Sequence, residues 1–326
     1  MIEPPQSVSH RIGHGITCGK FILMGEHSVV YGEPAIAIPL LGVSMRAFVS
    51  RTTGTAWFKS DIYDGPLDAM PERVAGLKGA LEASVAELGI TTRDLSITIE
   101  SDVPAERGMG SSAASAGALI RALFDLEQVE LDRNRLFELV QVAERIAHGK
   151  PSGLDAVATS AHAPVAFHQG NFADLDINLS GAVVIGDTGI KGGTRETVSA
   201  LRQRYEQEPA SVTPDIQQLG ELTRAARGCL ENNELDRLGD IFNQAHRHLD
   251  RLGVSSPELN QLVTTALEAG ALGAKMTGGG AGGCMLALCS DLAAAEQVVQ
   301  SLVQQGAARC WVHTFDQHQG KPSSNE

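Results

Sequence analysis

Residues 104–115 read PAERGMGSSAAS, and the fold turns on what this stretch is. Two glycines one residue apart, Gly108 and Gly110, run into Ser111 and Ser112 and then into small helix-forming residues. Small residues let backbone N–H groups approach a phosphate, and a helix start offers unpaired donors and the positive end of the helix dipole. No lysine follows the second glycine, so the stretch lacks the cation of a G-x-x-x-x-G-K-[ST] loop. Taken alone it reads equally well as a tight strand-to-helix turn. A phosphate reading needs positive charge from elsewhere in the chain.

Working outward, LSITIES (95–101) alternates apolar and polar residues and predicts a half-buried strand leading into the loop. After the serine pair, AASAGALIRALFDL predicts a helix. A second helix is predicted in DRNRLFELVQVAERIAHG, with Asp132 as N-cap, Gly149 just past its end and Pro151 beyond. Upstream, KFILMG and AIAIPLLGVSMRAFVS read as strands. A composition shift near 165–180 marks a domain boundary, which splits the chain into 1–178 and 179–326. GAVVIGDTG then restarts with a strand. AKMTGG, GCMLALC and ARCWVHTF are strand-like, with a helical DLAAAEQVVQSLVQQ between the last two. The second domain is therefore expected to be α+β, with a disordered tail from about residue 317.

Composition narrows the function classes. With 43% hydrophobic and 20% charged residues, the chain has the make-up of a soluble globular protein. A net charge of −13, with no basic stripe, argues against a nucleic-acid partner. It leaves room for an anionic substrate held by local cations or a bridging metal ion. Five scattered cysteines, without a C-x-x-C pair, predict reduced thiols. MIEPPQSVSHRIGHG has no apolar core of a signal peptide, and AIAIPLLGVSM is too short to cross a bilayer, so a cytoplasmic chain without membrane attachment is expected.

Three further segments carry candidate chemistry. In AERIAHGKPSGLDAVA, Glu144 lies just past the apolar arc of Leu136, Leu139, Val140, Ala143 and Ala147. It can face a cleft or be an ordinary boundary glutamate. Asp155 follows the K-P-S-G turn and can equally be a helix-start aspartate favoured by the dipole. In GKFILMGEHSVVYG, Lys20 opens a strand, and the polar pair Glu26 and His27 ends it in a loop. AKMTGGGAGGC places five glycines within six residues, a density that implies positive φ angles or a very close backbone approach. His246 and His248, two apart on a predicted helix, point in different directions and do not form a metal pair.

Together GKFILMGEHSVVYG, VPAERGMGSSAAS and KMTGGGAGGC resemble, in order and spacing, the three motifs of the GHMP kinases. GEHSVVYG and ERIAHGKPSGLD are most similar to the branch that phosphorylates mevalonate. Thr17 and Cys18 stand where the family usually has Ala-Pro, and Met109 where leucine is usual. The resemblance implies a two-domain α+β fold: an N-terminal ribosomal protein S5 domain 2-like domain and a C-terminal ferredoxin-like domain, with the active site in the cleft between them. It assigns the ATP phosphates to Pro104, Gly108, Met109, Gly110, Ser111, Ser112 and Ala113, and Mg²⁺ to Ser112 and Glu144. Asp155 becomes the general base and Lys20 the missing loop cation. Glu26, His27, Gly278 and Gly279 fall at the substrate, and Lys191, Thr194 and Arg195 are candidates for its carboxylate end. A homodimer is expected. Phosphomevalonate as the acceptor is one alternative. A catalytically silent ATP-binding paralogue is another, disfavoured because the base, metal ligands and lysine are all present.

Overall fold

The structure, a computed structural model, describes residues 7–149 and 151–315, with the side chains of 7–10 excepted. The tail expected from residue 317 lies outside the described residues. The chain falls into two compact units that interleave in sequence: 1–20, 39–105 and 110–162 in one, 21–38, 106–109 and 163 onward in the other. A single cut after residue 178 was expected from composition, whereas two short pieces of the first half, 21–38 and 106–109, pack with the second unit.

Strands β1 (Ser7–Met24) and β2 (Ala35–Thr52) each pass through both sets of residues. The first unit adds β3 (Trp57–Lys59), β4 (Asp64–Pro66), α1 (Ala75–Leu88), β5 (Leu95–Ser101), α2 (Ser111–Glu127), α3 (Arg133–His148) and the short α4 (Leu154–Ala158). Its strands lie in the order β4-β3-β5-β2, with β1 also beside β2. β5 alternates buried and half-exposed residues as its sequence predicts, pairing antiparallel with β2 from Leu95↔Arg51 to Ser101↔Met45. It thus delivers the chain at Ser101 to the loop. Helices α1, α2 and α3 pack together through Ala113, Ala116, Ile120, Phe124, Leu136, Leu139, Val140 and Ala143. The alanines let the helix axes approach, while each buried Ile, Leu or Phe contributes about 1.5–3 kcal/mol. Ala156 joins the same cluster and docks α4 against it. Asp132 caps α3 by accepting from the Arg135 N–H at 2.8 Å, as its position predicts.

In the second unit, β6 (Val165–His168) and β7 (Asn171–Asp174) form a hairpin on Ala35–Ala37 of β2. There follow β8 (Gly181–Asp187), α5 (Thr194–Gln207), α6 (Pro209–Asn232), α7 (Leu235–Arg251), α8 (Pro257–Glu268), β9 (Gly273–Met276), β10 (Cys284–Cys289), α9 (Leu292–Gln304) and β11 (Arg309–Phe315). The antiparallel order β11-β8-β10-β9 is that of a split β-α-β-β-α-β, the ferredoxin-like arrangement. β8, β9 and β10 are almost continuously buried, which is why their sequences are mostly apolar, with Asp187 of β8 and Lys275 of β9 as charged exceptions. All five cysteines are free thiols. Among the described residues no helix is long and apolar enough to cross a membrane.

Candidate active site

In the first unit, five predicted residues meet at the start of α2. Gly110 is its N-cap, with φ +77°. A Cβ there would sit 2.7 Å from Thr159 Cγ2 and 3.0 Å from Lys20 Cε, so backbone conformation and lack of space both demand glycine. Lys20, only 1% exposed, reaches across to Asp155, its Nζ 3.0 Å from Oδ1. A buried cation from the first strand thus stands beside the loop glycine Gly110. Asp155 sits in the first turn of α4, its side chain 36% exposed. Ser112, exposed in the first turn of α2, hydrogen-bonds Glu144.

Glu144 is more deeply buried than a boundary residue, at 4% exposure. Its Oε1 is buried without a hydrogen-bond partner, while Oε2 is 3.9 Å from His148 Nε2. Burial, and then the negative charge of Asp155, push its carboxyl above the ordinary range. His148, the Ser112 hydrogen bond and Lys20 partly offset this. An orphaned, desolvated carboxylate oxygen beside a hydroxyl at a helix N-terminus offers oxygen donors suited to a hard cation. Among the described residues, no group of three or more His, Cys, Asp and Glu gathers as a metal cage. The pair fits Mg²⁺, which is held through one or two carboxylates plus substrate phosphates and keeps several waters.

In the second unit, the turn after β1 holds Glu26 and His27, both buried. His27 takes φ +58° and ψ −46°, a sparsely populated conformation for a residue with a side chain. Its Nε2 donates to the Gly279 carbonyl at 3.1 Å, and burial pushes its pKa down to about 4. Gly278 lies against Gly108, its Cβ position 3.0 Å from Gly108 Cα. A Cβ on Gly279 would fall 2.1 Å from Thr194 Oγ1. The glycine density of this stretch is thus a consequence of close backbone approach. Thr194 and Arg195 are exposed in the first turn of α5. Lys191 pairs with Glu106 at 2.5 Å, so its charge already has an anionic neighbour. Met109 is buried, and Pro104, Ser111 and Ala113 flank the loop as their sequence positions require.

Two residues of this region were not singled out from sequence. Lys275 Nζ donates to Glu26 Oε1, with both side chains at 1% exposure or less. A lysine inside the otherwise apolar β9 was the available signal, since a buried ammonium requires a partner. Arg107, between the loop glycines and Pro104, pairs with the buried Asp187 at 3.3 Å. Of the two histidines on α7, His246 is half-buried and accepts from the Met276 N–H at 3.3 Å, and His248 pairs with Asp215 at 2.6 Å. The two rings thus engage different partners.

Comparison with known proteins places the chain in a family. The chain matches the family models "GHMP kinases N terminal domain" over residues 76–163 and "GHMP kinases C terminal" over 226–308. The protein belongs to the GHMP kinases, which use ATP as phosphate donor. Its relatives within them are mevalonate kinases. That of Pyrococcus horikoshii is 36% identical over 295 residues, covering 82% of this chain and 86% of its own. The crystal structure of mevalonate kinase from methicillin-resistant Staphylococcus aureus matches with a TM-score of 0.72 at 34% identity, over 93% of this chain and 98% of that one. That of L. major mevalonate kinase, in complex with R-mevalonate, matches with a TM-score of 0.81 at 26% identity, over 95% and 98% of the two chains.

Proposed function

We propose that the protein is a mevalonate kinase, transferring the γ-phosphoryl group of ATP to the 5-hydroxyl of mevalonate to give 5-phosphomevalonate, an isoprenoid precursor. The observation that carries this reading is the Lys20–Asp155 pair, at 3.0 Å, set beside the Ser112–Glu144 pair at the start of α2. Phosphoryl transfer asks a protein chiefly to position two reactants and to neutralise charge on the phosphate oxygens. The N–H groups at the start of α2 cradle the phosphates. Lys20 supplies the fixed positive charge that the loop itself lacks. Asp155, close to that ammonium yet open on one side, accepts the proton of the attacking hydroxyl. Ser112 and Glu144 would hold Mg²⁺, which would supply positive charge to offset that of the phosphate oxygens.

At the acceptor end, Glu26 and His27 orient the substrate's hydroxyls. The His27 Nε2–H is committed to a carbonyl, and its pKa of about 4 keeps the ring neutral, so it offers Nδ1 as an acceptor. The substrate carboxylate then falls to Arg195 with Thr194. Lys191 is the second cation of that stretch, released for this role only if it leaves Glu106. The functional division is an ATP-binding part in 1–178 and a second GHMP domain in 179–326. The enzyme works in the cytoplasm as a homodimer, on a small molecule and with no nucleic-acid partner.

Purified protein with Mg²⁺-ATP should release ADP with mevalonate at a higher kcat/KM than with phosphomevalonate, homoserine or galactose. A larger kcat/KM for any of the other three would reject the assignment and name its replacement. No ADP release with any of them would instead favour the silent paralogue.

A further inference from the structure

The turn that carries Glu26 and His27 is fastened at three points by alternate residues of one segment. Thr277 Oγ1 donates to the Ile22 carbonyl at 2.9 Å and lies 3.2 Å from the Ile22 N–H. Lys275 Nζ donates to Glu26 Oε1. The Gly279 carbonyl accepts from His27 Nε2 at 3.1 Å. Lys275 lies in β9, which ends at Met276, and Thr277 and Gly279 follow it around a bend where Gly278 takes φ +76°. The first of these anchors is itself held. Lys275 Nζ also donates to the Met276 carbonyl at 2.9 Å and lies 5.6 Å from the centre of the Phe242 ring. The next N–H along, that of Met276, is fixed by His246. Phe242 and His246 both come from α7.

A fully buried lysine is costly, and its burial lowers its pKa, with Glu26 opposing that shift. Buried ion pairs contribute little net stability over apolar side chains of the same size, so stability alone does not account for this one. What such a pair does supply is a defined geometry. His27 adopts a backbone conformation that persists only where its surroundings over-determine it.

We propose that Lys275 is a positioning residue for the phosphoryl acceptor. By holding the Glu26 carboxylate from β9, it fixes the Glu26–His27 turn in its strained form. Glu26 then meets the substrate in one orientation, and His27 presents Nδ1 as a hydrogen-bond acceptor. The part concerning the acceptor rests on the mevalonate kinase reading, whereas the part concerning the turn does not.

The test uses the full-length protein and three forms: wild type, Lys275→Met and the double variant Glu26→Gln/Lys275→Met. The first readout needs no substrate. Side-chain ¹⁵N NMR of His27, assigned by its loss in His27→Gln, should show one Nε2-protonated tautomer in wild type and a mixture in Lys275→Met. An unchanged tautomer in Lys275→Met would overturn the proposal. The second readout is kinetic. Lys275→Met should raise KM for mevalonate at least tenfold and leave KM for ATP within twofold. The double variant removes both charges, so it should regain most of the lost melting temperature without recovering KM for mevalonate. A double variant that recovered stability and KM together would show that neither Glu26 nor the pair acts on the acceptor, and that result too would overturn the proposal. If Lys275→Met alone does not fold, the double variant supplies both readouts. If wild type does not turn over mevalonate, the substrate assignment fails, and the NMR comparison still decides the role of Lys275.

Discussion

Glu144→Gln should make the protein more stable and less active, and the pH dependence of the gain follows from the site. Glu144 is 4% exposed, its Oε1 has no hydrogen-bond partner, and burial together with Asp155 holds its pKa above the ordinary value. A carboxylate whose folded-state pKa is raised favours the fold while protonated. It loses that contribution as pH climbs through the raised value, and once ionised it costs the metal-free protein stability. Leaving a buried polar atom unsatisfied costs about 1–3 kcal/mol, and more when it is charged. Glutamine keeps the shape and the Ser112 contact without the charge. It forfeits the attraction to His148, which is slight at 3.9 Å with that histidine 40% exposed.

The expected gain in the metal-free protein is therefore about 1–3 kcal/mol near pH 8. At roughly 2–4 °C per kcal/mol for a unit of this size, the melting temperature should rise by about 2–12 °C. The gain should shrink toward zero as pH falls below the ordinary glutamate range, where wild-type Glu144 is itself protonated. Melting curves between pH 4 and 8, with and without Mg²⁺-ATP, test the sign. Mg²⁺-ATP should stabilise wild type more than the variant, because only the carboxylate binds the ion strongly. A variant that melts below wild type at pH 8, or a difference that does not change with pH, would refute the reasoning.

Asp155→Asn keeps the size of the side chain but cannot take a proton, so kcat should fall by about 10²–10⁴ with ATP and mevalonate binding nearly intact. A variant within threefold of wild-type kcat, with chemistry shown to be rate-limiting, removes Asp155 as base. Lys20→Met should lower kcat and also weaken ATP binding, and its combination with Asp155→Asn should cost much less than the product of the two, since both act on one transfer. Steady-state kinetics of the three variants reads this directly. Arg195→Ala should raise KM for mevalonate about tenfold, about 1.4 kcal/mol, while KM for ATP stays constant. An unchanged mevalonate KM moves the carboxylate contact elsewhere.

Much of this site was legible in the sequence, because phosphate chemistry constrains the backbone and the backbone constrains residue type. Gly110 could be read as an obligatory glycine, and the structure supplies the reason in its φ of +77° and the adjacent Lys20 side chain. Asp132, Asp155 and the start of α2 stand where local signals put them. The interleaving of the units was not legible. Nothing in the composition of 21–38 says that these residues pack with a sheet formed after residue 180, since such pairing is set by contacts distant in sequence. Glu144 was misjudged in degree, because a helical wheel gives a direction and not the depth of what lies along it.

Lys275 shows where a motif-based reading stops. Its segment attracted notice for its glycines, and glycine density is a statement about backbone. The lysine three residues before them carries a different kind of information: a buried charge obliges the fold to place an opposite charge at one defined point. Glu26 is that charge, 249 positions away in the chain. Read separately, Glu26 was a loop carboxylate next to a histidine, and Lys275 was a polar interruption in a strand. Neither has a local explanation, and each is explained by the other. A sequence search for function can therefore add a second question to the search for motifs, namely which ionisable residues lie where the pattern says water does not reach. In this chain that question singles out both the glutamate suited to Mg²⁺ and the lysine that holds the acceptor turn.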